Sequence, residues 1–344
     1  LDELDELDLR VERREPPPPA RLSVHDALAI DPVVSDALPP TAVAWLALRV
    51  SRTPAEGPRF HGTAGPQPPR AYAVSHVERY LECPFRYFAG PVLGLDRRPD
   101  EDAGLPAQAR GRLLHRLLHE FFARWQAAGH HRIAPEQIDE AMALFREVAD
   151  TLLADLPEAE RRLERARLLG TAVSPGIAER LFACEIDGSE AVVERLFEYR
   201  LHGDYAWRSG GPPIALRAHA DRIDLLAGGA FRVVDYKIGR APGFRRALQL
   251  PVYAACAVER LRERDGRDWR PCEAVYLAFG ERDLVRRLDA RGDLDSAIEE
   301  GKARLVQAVE AIERGEFPPR PETLSICGWC AYPSVCRKDY VGDT

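Results

Sequence analysis

The sequence lacks the features of membrane-spanning and exported proteins. It contains no run of about 18 apolar residues. Its first residues, LDELDELDLRVERREPPPP, have neither the basic start nor the apolar stretch of a secretory signal. We therefore expect no membrane span and a cytoplasmic location. Methionine is also scarce: Met142 is the single one, and the chain begins at Leu1, so we expect a piece of a longer polypeptide.

Two further absences limit the chemistry. No G-x-x-x-x-G-K-[ST] pattern occurs, so we expect no ATP hydrolysis by a P-loop mechanism. The net charge is −7 rather than strongly positive, which excludes indiscriminate binding of a polyanion through the overall field. Any contact with nucleic acid must therefore be local or supplied by a partner.

The 344 residues divide into a Pro-rich amino-terminal part and a larger patterned part. Residues 1–70 predict a linker or the remnant of a preceding region. Helical periodicity dominates the next hundred residues, with a helical insertion predicted at about 129–185. Strand patterns, a helix, more strands and a long helix follow. This order predicts an α/β fold over residues 71–344, with a central mixed sheet and helices on both sides.

Two aspartates flank the turn signal Ala227-Gly228-Gly229. Asp221 and Asp235 lie at nearly equal distance from Gly228, one on each arm of a predicted hairpin. They become cross-strand neighbours on one face if the turn centres on Gly228, which needs an odd-length loop or a bulge. A strict two-residue Gly228-Gly229 turn would put them on opposite faces. We predict the odd-length loop.

A lysine joins these carboxylates. Lys237 stands two residues after Asp235, so on a strand both side chains lie on one face. A D-x-K pattern alone is typical of a solvated strand face. With a second carboxylate it suits phosphodiester hydrolysis, because oxygen ligands hold Mg²⁺ or Mn²⁺, which polarises the phosphate and lowers the pKa of bound water. Glu198, or with less support Glu194, and His115 are further candidate metal ligands.

Four motifs occur in order: G-R-L-L-H at Gly111 to His115, A-D-R-I-D at Ala220 to Asp224, D-Y-K at Asp235 to Lys237, and Q-L-P-V-Y at Gln249 to Tyr253. In this order they resemble the RecB-type branch of the PD-(D/E)xK nucleases.

That resemblance implies a restriction-endonuclease-like core in which His115, Asp221, Asp235 and Lys237 form the metal site. It also implies that Gln249 and Tyr253, which share a helix face, lie beside this site and help to hold DNA. One departure is Ala220, which replaces the proline of the family's name. That proline makes no metal contact in the family, so little depends on it.

Three cysteines near the carboxyl end form a C-x2-C-x5-C pattern, Cys327, Cys330 and Cys336. The short loop lets neighbouring thiolates face one ion or cluster. Cys83, which Pro84 follows near a helix break, is the natural fourth ligand. A shared metal would clasp the first helix to the last residues, so that metal binding would contribute to folding. Spacing does not separate a zinc site from a [4Fe–4S] cluster.

A distant upstream cysteine and a downstream C-x2-C-x5-C around such a nuclease resemble the AddB subunits of bacterial helicase–nucleases, over about Ala73 to Tyr340. The resemblance implies a [4Fe–4S] cluster at the four cysteines, a preceding helicase-like region and an AddA-like partner subunit. It also implies cleavage of one of the unwound DNA strands in double-strand break repair. CRISPR-adaptation nucleases with an iron–sulfur cluster share the cysteine pattern and are an alternative.

Basic residues near the predicted site are candidates for phosphate contacts: Arg217, Arg222, Lys237, Arg240, Arg245 and Arg246. Among them we predict Arg222 and Arg240, with Gln249 and Tyr253, as DNA contacts. For any single arginine, solvation of the surface explains the residue equally well. Two further hypotheses stay open: a catalytically inactive DNA-binding or assembly module, and a zinc or redox protein whose hairpin carboxylates are coincidental.

Overall fold

The computed structural model describes residues 62–95, 105–187, 192–289 and 293–336. These residues all belong to one compact unit, 61–337. Most of the predicted linker at 1–70 lies outside the described residues. Within them, no helix has the length and hydrophobicity to cross a membrane.

The helices are α1 (Val74–Glu82), α2 (Pro84–Tyr87), α3 (Ala107–Ala127), α4 (Ile138–Leu153), α5 (Glu158–Leu169), α6 (Ile177–Asp187), α7 (Gln249–Asp265) and α8 (Leu294–Glu313). A π-helical turn, Phe88–Val92, continues α2, and short 3₁₀ helices occur at Pro135–Gln137 and Leu324–Trp329. The strands are β1 (Tyr72–Ala73), β2 (Val192–Arg200), β3 (Gly203–Tyr205), β4 (Ile214–Arg217), β5 (His219–Leu226), β6 (Ala230–Lys237), β7 (Arg270–Ala278) and β8 (Val285–Arg287).

Five strands form a mixed sheet in the order β2-β5-β6-β7-β8. Strands β6 and β7 run parallel, and the other neighbours run antiparallel. Three short strands form a second sheet in the order β1-β4-β3. The predicted α/β fold class is confirmed, and helices α4, α5 and α6 fill the segment predicted as a helical insertion.

Helices cover both faces of the five-stranded sheet. Helices α7 and α8 pack on one face, against Val233 and Tyr276. Helices α3, α4 and α6 pack on the other, against Val234 and Val275. Successive strand residues point to opposite faces, so Val233 and Val234 belong to separate clusters. Each fully buried side chain of this size stabilises the fold by roughly 1.5–3 kcal/mol.

The β5–β6 hairpin has the odd-length turn predicted from the sequence. Arg222 lies opposite Val234, which centres the turn on Gly228. Gly228 and Gly229 have φ values of +86° and +79°, a left-handed conformation that glycine adopts without a steric penalty. This register places Asp221 opposite Asp235, one position beyond the last bonded pair.

Candidate active site

A histidine and two carboxylates meet beside the start of β5. The ligand atoms of His115, Glu198 and Asp221 all lie within 4.8 Å of one another. His115 is carried by α3, and the β2–β5 register places Glu198 opposite Asp221. Glu198 has a φ of +44°, a left-handed conformation that costs on the order of 1–3 kcal/mol and is common at functional sites.

Glu194, the weaker of the two candidates on β2, does not take part. Its carboxylate accepts two hydrogen bonds from Arg264, at 2.6 and 2.7 Å. The structure therefore brings Glu198, and not Glu194, to the other candidate ligands.

The hydrogen bonds of His115 orient its ring for a cation. Nε2 lies 3.0 Å from the main-chain oxygen of Tyr236, and Nδ1 lies 3.2 Å from Asp221 Oδ1. A carbonyl oxygen only accepts hydrogen bonds, so Nε2 carries a proton, and Nδ1 is the nitrogen directed at the carboxylates, where a bound cation would take the place of its proton. Burial lowers the pKa of His115, but the hydrogen bond and charge of Asp221, with the charge of Asp235, outweigh it and raise the pKa to about 9.

Few hydrogen-bond donors face the carboxylates of Asp221 and Asp235. Asp221 Oδ2 accepts a hydrogen bond from the main-chain nitrogen of Tyr236 at 2.8 Å. Asp235 is 2% exposed, and Lys237 Nζ lies 2.6 Å from its Oδ2 as its one close cationic partner among the described residues. Burial and then the charge of Asp221 raise the pKa of Asp235 to about 7, against the opposing charges of Lys237 and His115. Such oxygens, with an imidazole nitrogen, fit a divalent cation.

Lys237 is held beside the carboxylates from the other side. Its Nζ donates a hydrogen bond to Gln249 Oε1 at 2.7 Å and lies 5.4 Å from the centre of the Tyr276 ring. Burial lowers the pKa of Lys237, but the charge and hydrogen bond of Asp235 more than compensate and raise it. The lysine is thus a fixed cation next to Asp235.

Sequence reasoning missed Glu78, on α1. Its Oε1 accepts hydrogen bonds from the main-chain nitrogens of Leu248 and Gln249, at 2.7 and 3.0 Å. These donors begin α7, where main-chain N–H groups have no partner inside the helix. Burial raises the pKa of Glu78, and the two donors oppose that rise. Glu78 therefore fixes the start of the helix that presents Gln249 to Lys237.

The prediction that Arg222 contacts DNA is wrong. Arg222 is 0% exposed. It donates to both oxygens of Asp224, at 2.6 and 2.7 Å, and to Glu185 at 2.6 Å. Its guanidinium lies 4.5 Å from the centre of the Phe122 ring on α3. Because the side chain points into the helical layer, no phosphate can reach it.

The other predicted DNA contacts differ in exposure. Arg240 is exposed after β6, and Arg217 is exposed on β4. Gln249 is half-buried and occupied by Lys237. Tyr253 is 6% exposed, and burial followed by the charges of Asp235 and Glu78 raises the pKa of its phenol well above the ordinary value. Tyr253 therefore lines the site, and little of its ring is accessible to a DNA strand.

The carboxyl-terminal cysteines lie near Cys83 without converging on one point. Glu322 N donates to Glu82 O at 2.9 Å, and Arg86 lies 4.5 Å over the ring of Trp329. Burial, and to a smaller extent Cys336 and Cys330, raise the pKa of the Cys83 thiol. Yet no three cysteine sulfurs of the described chain lie within 4.8 Å of one another. This arrangement does not match one tetrahedral zinc ion, whose sulfurs lie about 2.3 Å from the metal.

Comparison with known proteins agrees with this geometry. A sequence model of the PD-(D/E)XK nuclease superfamily matches residues 71–337. The B subunit of the ATP-dependent helicase/deoxyribonuclease of Clostridium botulinum strain Hall is 26% identical, over 62% of this chain and 20% of the relative. The protein of the same name from strain Loch Maree matches with the same identity and shares. The chain thus matches about a fifth of the length of these relatives.

Among solved structures, the crystal structure of SSO0001 aligns with 76% of this chain and 92% of its own, at 13% identity. The TM-score is 0.27. A superposition of that quality carries no argument about fold or function.

Proposed function

Because the chain belongs to the PD-(D/E)XK nuclease superfamily, we propose that it hydrolyses DNA phosphodiester bonds with Mg²⁺ or Mn²⁺ at the site of Asp221 and Asp235. One observation carries this proposal: the buried carboxylate of Asp235 faces that of Asp221, and the fixed lysine 2.6 Å from Asp235 offsets their combined charge only in part. A cation between the carboxylates would offset their repulsion, which is what a metal-dependent hydrolase requires.

The site residues have different chemical roles. Asp221, Asp235, His115 and Glu198 would hold the metal, which when bound acts as a Lewis acid and lowers the pKa of its water. Lys237 balances negative charge on the phosphate or orients the attacking water. Gln249 accepts the hydrogen bond of Lys237 and so keeps the ammonium directed at the carboxylates.

We further propose that Cys83, Cys327, Cys330 and Cys336 hold a [4Fe–4S] cluster. The contacts of the carboxyl-terminal segment with α1 and α2 support this proposal. Bound iron would tie this segment to the helix that carries Glu78, and so to the start of α7. An anaerobic visible spectrum with iron and sulfide analysis tests the assignment; stoichiometric zinc without iron would contradict it.

The names of the relatives support a further proposal about context. They are subunits of a helicase/deoxyribonuclease. By analogy, this chain would cut single strands produced by unwinding at double-strand breaks, as an exonuclease that works with an AddA-like partner subunit.

Cleavage of end-labelled single-stranded DNA by the anaerobically purified chain tests the central proposal. We expect cleavage with Mg²⁺, none with EDTA, and none with Lys237→Ala whose visible spectrum is unchanged. Lys302→Ala is the matched control, because Lys302 pairs with Glu299 on the surface of α8. DNA binding without cleavage by the wild type would instead support an inactive assembly module.

A further inference from the structure

Four exposed basic side chains form a compact block on the ribbon made by β2–β3 and β4–β5. Arg200 lies opposite His219. His202 lies opposite Arg217, because the β3–β4 register continues that of β2–β5. The rings of His202 and His219 are 4.5 Å apart between centroids, so the two pairs share one side of the ribbon. We call Arg200, His202, Arg217 and His219 the basic platform; all four are exposed.

The basic platform adjoins the candidate metal site. Glu198 precedes Arg200 by two residues on β2, and Asp221 follows His219 by two residues on β5. Burial and the charge of Asp221 raise the pKa of Glu198, and His219 lies near enough to oppose that rise. An extended ligand bound along the platform would therefore reach the carboxylates of Glu198 and Asp221.

No member of the basic platform forms an ion pair within the described part of the chain. Exposed arginines elsewhere do, as with Arg124 and Glu147 at 2.9 Å or Arg165 and Asp150 at 2.7 Å. Like charges on facing strands destabilise a sheet. Burial and then the neighbouring cations of the platform lower the pKa of His202. Two exposed arginines without an ion pair, set beside two imidazole rings, indicate an anionic partner.

We propose that the basic platform holds the phosphates of a single DNA strand that leads into the metal site. This inference rests on the proposed nuclease function and adds the path of the substrate. Guanidinium groups bind phosphate oxygens in pairs. Residues two apart on a strand are about 6.6 Å apart, so successive side chains can meet successive phosphates. Exposed imidazole rings can stack on unpaired bases, which favours a single strand over a duplex.

The platform also resolves the difficulty raised by the net charge of −7. A protein of that charge attracts DNA only through a local concentration of cations. The block ends at Asp204, which is exposed at the next position along the same side of β3. It is thus a bounded surface that leads in one direction, toward Glu198 and Asp221.

The test compares Arg200→Ala/Arg217→Ala with Arg146→Ala/Arg162→Ala. The second variant removes the same charge from exposed sites on α4 and α5. Binding of a fluorescein-labelled single-stranded oligonucleotide to the full chain is measured in EDTA over a range of NaCl concentrations. We expect the platform variant to bind on the order of tenfold more weakly, with a salt slope about 1.4 smaller, or about 0.7 for each lost phosphate contact. The control variant should keep the wild-type slope.

One further variant and one kinetic comparison distinguish loss of phosphate contacts from loss of the metal site. Arg200→Lys/Arg217→Lys should restore most of the salt slope, because lysine keeps the charge. With Mg²⁺, the platform variant should raise KM for the oligonucleotide far more than KM for bis(p-nitrophenyl) phosphate, which spans only the metal site. Equal slopes in the platform and control variants would overturn the proposal. Equal losses for duplex and single-stranded DNA would overturn the single-strand assignment. Platform-dependent binding without hydrolysis of either substrate would refute the proposed function and leave the platform standing.

Discussion

The β5–β6 hairpin carries two buried charge clusters that differ in how their charges are matched. In the first, Asp224 accepts hydrogen bonds from Arg222 and Arg232, each with a contact of 2.6 Å. Glu185 completes it through Arg222 and Arg195. Three guanidinium groups thus surround two carboxylates. In the second, three carboxylates, those of Asp221, Asp235 and Glu198, face two cationic groups, Lys237 and His115.

Burial acts on the carboxylates of both clusters, but the resulting pKa shifts have opposite directions. Burial raises the pKa of Asp224 and of Asp235, because a dry environment disfavours a charged carboxylate. At Asp224 the charge of Arg222 and its hydrogen bonds overcome burial, and the pKa falls well below the usual range. At Asp235 the charge of Asp221 adds to burial, and the pKa rises to about 7. A satisfied cluster holds the fold, whereas an unsatisfied one is prepared for a cation.

Asp235→Asn should give the largest effect on activity. Loss of a metal ligand should slow cleavage on the order of 10³-fold. Stability in EDTA should fall less than in Asp224→Asn, because the amide removes a buried charge that Asp221 repels and Lys237 keeps its hydrogen bond to Gln249. The measurements are single-strand cleavage with Mg²⁺ and thermal unfolding in EDTA. Asp224→Asn is the matched control and should do the reverse, losing stability while the folded fraction still cleaves. Wild-type cleavage by Asp235→Asn would exclude this residue as a ligand.

Arg222→Met should give the largest effect on stability. The substitution removes the charge-assisted hydrogen bonds of Arg222 to buried Asp224 and Glu185, and each such bond is worth about 1.5–3 kcal/mol. Urea unfolding measures the loss. Arg146→Met, at an exposed position on α4, should change stability by less than about 0.5 kcal/mol. If Arg222→Met kept full stability but weakened DNA binding, the side chain would contact DNA after all.

Glu78→Ala should have an intermediate effect and act through Gln249. Without the carboxylate the start of α7 loses its acceptor, worth about 1 kcal/mol for a typical helix cap, and kcat should fall about tenfold. Glu78→Gln, which keeps an acceptor oxygen, should retain most of kcat. Glu82→Ala, one turn further along α1 and paired with Arg86, serves as the control.

A double-mutant cycle with Gln249→Ala separates positioning from general support. If Glu78 acts by placing Gln249, the two losses in kcat will not multiply. Independent losses, or a fall in unfolding temperature that parallels the fall in kcat, would assign Glu78 a purely structural part.

Local patterns were sufficient to predict the register of the β5–β6 hairpin. The position of Gly228 between Asp221 and Asp235 predicted the register, because the turn alone sets which residues of a short hairpin face each other. Because side chains alternate along a strand, the sequence also indicates that Arg222 points to the face opposite that of Asp221. The same period places Lys237 on the face of Asp235, and it contradicts the predicted DNA contact of Arg222, which is 0% exposed.

Contacts between distant segments could not be predicted in this way. Glu78 meets Leu248 across 170 positions of sequence, and nothing in the pattern of α1 marks it as the acceptor for another helix. The basic platform likewise depends on the register of two strand pairs, which fixes the diagonal contact of His202 with His219. Cysteine spacing predicted a shared cluster, but spacing does not fix how closely four sulfurs from segments 244 positions apart approach one another.

Acid unfolding should give the smallest effect and sharpen the contrast between the clusters. The folded-state pKa of Asp224 is depressed, so its contribution to stability is present above its unfolded pKa of about 3.9 and is lost as pH falls below it. One such proton changes the free energy of unfolding by up to about 1.4 kcal/mol per pH unit. Urea unfolding between pH 5 and pH 2.5 should therefore show a shallower slope for Asp224→Asn than for the wild type. Identical slopes would mean that Asp224 titrates alike in the folded and unfolded chains, and the arginines around it would then not stabilise its charge.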